Sequence, residues 1–98
     1  MAKFVLLYHG GKPPENDEEK DKMMAAWGAW SESLGDALVD MGNPLGPPQS
    51  IGGDAADAAS GYSLLEAPDQ ETAVKLASGN PMASEDGTRI DVHEAFSM

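Results

Sequence analysis

The chain has 98 residues, 41% of them apolar, and carries 17 acidic against 6 basic side chains for a net charge of −11. That length supports one domain, expected over residues 1–98, and so negative a field argues against nucleic acid or an anionic membrane surface as partner. The absence of cysteine excludes disulfides and thiolate chemistry, and with no apolar run of bilayer or signal-core length the expected location is cytoplasmic.

Residues 3–9, KFVLLYH, form a compact β-favouring run ended by Gly10-Gly11 and Pro13-Pro14, and predict a strand apolar on both faces. Asn16 then predicts a helix cap, with Glu19 three residues on completing a capping-box pattern and Asp17, Glu18 and Glu19 matching the positive end of the dipole. Met23, Trp27, Trp30 and Leu34 recur on one helix face, and Gly35 supplies the stop. Residues 36–41 predict a second strand, broken by Gly42-Asn43-Pro44.

From there to Ser60 the chain is rich in Gly, Pro, Ala and Asp, a long loop with a short strand expected near Ser50-Ile51. Residues 61–67 resume as a strand, and Asp69 caps a short helix that buries Ala73, Leu76 and Ala77 and ends at residues 78–81. Residues 89–96 alternate Ile90 and Val92 against Asp91 and His93, the pattern of a half-exposed edge strand.

This order is the split βαβ, or ferredoxin-like, pattern: an α+β fold with strand order 4-1-3-2 and both helices on one face of an antiparallel sheet. Apolar residues on both faces of the first and third strands predict a second copy of the chain against the open face, a homodimer enclosing a barrel-like cavity.

In that topology the ends of the first and second strands and the start of the third meet at one rim. His9 and Asp40 are the candidate catalytic pair there, since a carboxylate that orients an imidazole tunes it for proton transfer near neutral pH. The strand between them sets a gap of roughly 10 Å, which a substrate or water would fill. The plainer reading leaves His9 before a glycine turn and Asp40 accepting backbone donors at the Asn43-Pro44 turn. Tyr8, Trp30, Asn43 and Tyr62 are the candidate ligand-binding residues, Trp27 being assigned to the core. His9 and His93 lack metal-ligand spacing, and Gly10-Gly11 and Gly52-Gly53 lack the setting of a phosphate loop, so neither metal nor cofactor is expected.

KFVLLYHGG, MMAAWGAWSESLGDALVDMGNPLGP, SGYSLLEAPDQETAVKLASGNP and IDVHEAF together resemble the YCII-related family, also called DGPF-domain proteins, over nearly the whole chain. The resemblance implies a ferredoxin-like domain that dimerises through its sheets as a dimeric α/β barrel, and for some members a His-Asp pair in an inter-sheet pocket. The first helix here has no histidine, and GNPLGP stands where the family's GP turn is expected. The functional expectation is a cytoplasmic dimer that binds a small organic ligand, as a cofactor-free lyase, isomerase or dehalogenase using His9 and Asp40. The alternative is a non-catalytic module that binds a ligand or a partner.

Overall fold

A computed structural model describes residues 1–11 and 14–97; Pro13, one of the expected strand breakers, lies outside them. The elements are β1 (Ala2–His9), α1 (Asp17–Leu34), β2 (Leu38–Asp40), β3 (Gly61–Ala67), α2 (Gln70–Ala77) and β4 (Arg89–Ala95). They build one antiparallel sheet in the order β2-β3-β1-β4, the predicted 4-1-3-2 arrangement read from its other edge.

The helix starts follow the sequence signals. Asn16 Oδ1 accepts from the Glu19 amide at 2.8 Å, while Glu19 reaches back to the Glu15 amide at 2.9 Å, so the capping box closes one residue earlier than its usual form. Asp69 likewise accepts from the Thr72 amide at 2.8 Å. Gly35 ends α1 at φ 55°, in the left-handed region that favours glycine.

β1 alternates cleanly. Phe4, Leu6 and Tyr8 are buried beneath the helices together with Leu65 and Ala67 of β3, and Trp30, Leu34, Ala73 and Ala77 close that core from above. The opposite sides of β1 and β3, carrying Val5, Leu7, Tyr62 and Leu64, remain half-exposed. Both helices therefore cover one face, and the molecule is a slab of 43 × 38 × 20 Å, its least dimension about that of a sheet and one helix layer.

Three details differ from the sequence reading. The second strand is shorter than expected because Gly35–Ala37 forms a 3₁₀ turn that continues α1 before the chain extends. No strand forms near Ser50-Ile51, where the loop reaches away from any sheet edge and Ile51 is fully exposed. The α1 stripe divides: Trp30 and Leu34 are buried, Trp27 is half-buried and Met23 is exposed, because the first half of α1 overhangs the sheet rim.

Trp30 packs fully and donates its indole N–H to the Leu76 carbonyl at 2.9 Å, joining α1 to α2. Trp30→Ala is expected to destabilise the fold by about 3–5 kcal/mol in urea unfolding, whereas Met24→Ala on the exposed face should change stability by about 0.5 kcal/mol or less. Equal losses for the two variants would contradict this packing.

Candidate functional site

At the rim where β1 ends and β3 begins lies a cleft of about 640 Å³, within the usual range for small-molecule sites. Met23 and Trp27 overhang it from α1, Tyr8 and the Gly10-Gly11 backbone border it from β1, and Met82 and Glu85 approach from the segment before β4. The chain after β2 supplies Met41 to Leu45, including Asn43, and the start of β3 supplies Gly61 and Tyr62. Two glycines make the rim possible. A Cβ on Gly42, at φ 79°, would lie 1.7 Å from the Tyr62 carbonyl oxygen, and one on Gly10, at φ 81°, would lie 2.3 Å from that of Gly87.

Beneath the cleft runs a closed polar relay. Asn80 Nδ2 donates to the Tyr8 hydroxyl at 3.3 Å, Tyr8 donates to Ser63 Oγ at 2.7 Å, and Ser63 donates to the Met41 carbonyl at 2.6 Å. Burial raises the Tyr8 phenol above its ordinary pKa, outweighing the opposing effect of its hydrogen bonds with Ser63 and Asn80, so it is neutral at physiological pH. Tyr8 thus offers the cleft a ring, its hydroxyl already committed as donor and acceptor. Trp27 stands edge-to-face with it at 5.3 Å and with Trp30 at 5.8 Å.

Of the six residues singled out from the sequence, Tyr8, Asn43 and Tyr62 line this cleft and Trp30 does not: it is core, and Trp27 takes the wall position. The expectation had these tryptophans the other way round. The indole that reaches α2 is the one a turn nearer the helix end, where α1 lies down on the sheet.

His9 and Asp40 are not partners. Register puts Asp40 opposite Leu64 and Leu64 opposite Val5, so Asp40 is level with Val5, four residues short of His9. Four residues at about 3.3 Å and two strand spacings of about 4.8 Å separate the two backbones by roughly 16 Å. Asp40 instead accepts from the Gly42 amide at 2.9 Å, the turn role that was the plainer reading.

His9 alternates with Tyr8 and belongs to the outer face of the sheet, where it has other carboxylates. Its Nε2 lies 3.2 Å from Asp91 of β4, and its Nδ1 lies 3.3 Å from Asp57, which the long loop brings back over the strand ends. The Nδ1–Asp57 approach is close enough for an ion pair but not aligned as a hydrogen bond, leaving this buried nitrogen without a hydrogen-bond partner. Arg89 joins the group, hydrogen-bonded to Asp57 and, at 3.0 Å, to Asp91.

The Arg89 hydrogen bonds, aided by its charge and that of His9, hold both Asp57 and Asp91 below the ordinary aspartate pKa. The same bonds push the Arg89 guanidinium up. Asp91 was legible as a neighbour of His9, since β4 pairs with β1 in the predicted strand order; Asp57, in mid-loop, carried no signal. Among the described residues no group of three or more His, Cys, Asp or Glu is arranged to hold a metal ion.

Fold and cleft together define a ferredoxin-like α+β protein with a rim pocket, and no helix among the described residues is long and apolar enough to cross a membrane. A solved structure with this fold is 5-chloro-2-hydroxyhydroquinone dehydrochlorinase from Burkholderia phenoliruptrix AC1100, in complex with 2,5-dihydroxybenzoquinone. It aligns over 91% of this chain and 90% of its own with a TM-score of 0.52 and 18% sequence identity, a likeness of fold. No family model and no curated protein matches the chain.

The depressed carboxylates set a sign for acid behaviour. A carboxylate whose folded-state pKa is lowered contributes stability that is present above its unfolded value and lost as pH falls through the folded one. Arg89→Gln is expected to move the Asp57 and Asp91 titrations upward, read from their carboxyl carbon shifts by NMR, and to shrink the part of the acid-induced stability loss that these two groups contribute. Titrations that superimpose on the parent's would mean that these pairs do not hold in solution.

Proposed function

We propose that the chain binds a small, largely apolar organic molecule in the rim cleft. The observation that carries this reading is a cavity of about 640 Å³ bordered by Trp27, the Tyr8 ring and three methionines, beside a relay whose polar atoms are already satisfied. Such a wall gives contact area and shape selection, while Asn43 and the exposed rim backbone supply a few polar contacts. The neighbouring structure holds a quinone-type ligand, which is consistent with a flat molecule in a protein of this fold.

Titration with a library of small aromatic fragments, followed by amide and indole NMR shifts, is expected to perturb Trp27, Gly42 and Tyr62. Trp27→Ala should weaken the best of them by about tenfold, the ratio that 1.4 kcal/mol gives. Shifts confined to other surfaces would remove the cleft as the binding site.

A second reading is favoured by His9, largely buried on the open sheet face with carboxylates near both ring nitrogens. A second copy of the chain laid on that face, covering Val5, Leu7 and Leu64, would enclose His9 in the inter-sheet cavity expected of a dimeric barrel. There His9 would act as the proton-transfer group of a cofactor-free lyase, isomerase or dehalogenase, with Asp57 and Asp91 beside its ring nitrogens in the orienting role first given to Asp40. Likeness of fold to a 5-chloro-2-hydroxyhydroquinone dehydrochlorinase makes chlorinated hydroquinones the first substrates to test. Chloride release by the parent, lost in a folded His9→Gln variant, is the expected result. No release, or release unaffected by the substitution, would return the chain to the ligand-binding reading.

A further inference from the structure

Among the described residues that line the cleft, the only one charged at neutral pH is Glu85. Tyr8 is held neutral by burial, and among the described residues no lysine or arginine lines the wall. Arg89 is engaged by Asp57 and Asp91 on the outer face, and Lys22 pairs with Glu18 on α1. The whole chain adds a field of net charge −11.

Resting on the ligand-binding reading above, we propose that the cleft selects an organic cation, a quaternary or protonated amine with apolar substituents. Three physical terms point the same way. Trp27, half-buried at the cleft wall, supplies an indole, and an aromatic face attracts a cation through the ring quadrupole by about 0.5–2 kcal/mol, depending on how far it is desolvated. Met23, Met41 and Met82 supply polarisable thioethers that pack against methyl groups without competing for hydrogen bonds. Glu85 at the mouth supplies the counter-charge, and the negative field of the chain raises the local concentration of cations. A carboxylate or phosphate entering the same space would shed its water and, among the described lining residues, meet Glu85 and no opposite charge, a cost that disfavours it. A neutral molecule of the same shape would gain the packing and lose the electrostatic terms.

The test compares three probes of similar size by NMR titration at low and high salt: benzyltrimethylammonium, its neutral carbon isostere neopentylbenzene, and phenylacetate. The expected order places the cation first, about fivefold or more tighter than the isostere, with phenylacetate weakest. Glu85→Gln should bring cation and isostere closer together, while Glu71→Gln, a charge removed from exposed α2, should leave their ratio unchanged. Added salt should narrow the same ratio, since an exposed carboxylate is screened. An isostere or phenylacetate that binds as tightly as the cation, with shifts at Trp27 and Gly42, would overturn the cationic preference and leave the cleft standing. Absence of shifts there with all three probes would remove the cleft reading and the preference together.

Discussion

β1 is paired along both edges, to β3 and to β4, so its backbone is satisfied within the sheet and its side chains alone decide what lies above and below. Above, Phe4, Leu6 and Tyr8 exclude water completely or nearly so, and every helix residue of the core packs onto this row or its continuation in β3. Because strand side chains alternate, burying this row obliges Val5, Leu7 and His9 to face the other way. The core and the outer face are therefore one decision, and His9 could not reach the cleft beneath the helices without turning Tyr8 out of the core.

Tyr8 carries a second constraint. A phenol buried this deeply needs partners for both its proton and its lone pairs. Ser63, on the inward row of β3, accepts the proton, and Asn80, which also caps the turn before β4, donates in return. This links β1, β3, the exit from β2 through the Met41 carbonyl, and the approach to β4. Of the segments that border the cleft, all but α1 are thus held by one relay that runs beneath it. A cleft supported this way is preorganised, which suits recognition by shape.

The outer-face cluster is of another kind. Arg89 and Asp57 are about half exposed, so their mutual attraction is screened and contributes little to stability, while His9 beside them is largely buried. What the cluster does is positional: it draws the return leg of a long, exposed loop across the ends of β1 and β4. Ser60 assists by donating to the carbonyls of Tyr8 and Gly10 at 3.1 and 3.0 Å. The loop is thereby tied at its base while its tip, with Ile51 fully exposed, remains outside the sheet.

Local chemistry determined much of this protein in advance. The capping signals at Asn16 and Asp69, the glycine stop at Gly35, the two-faced apolar run of β1 and the alternation of β4 each act over a few residues, and together they made the element order and the ferredoxin-like sheet legible. Tertiary structure decided the rest, because it depended on register and on where a helix leaves its sheet. A four-residue difference in register moved Asp40 from the side of His9 to a turn, and the overhang of α1 made Trp27 a wall and Trp30 the core, although both stand on the same helical stripe. Asp57 met His9 only through the path of a loop whose composition specifies flexibility and no direction, so no spacing along the chain encoded that contact.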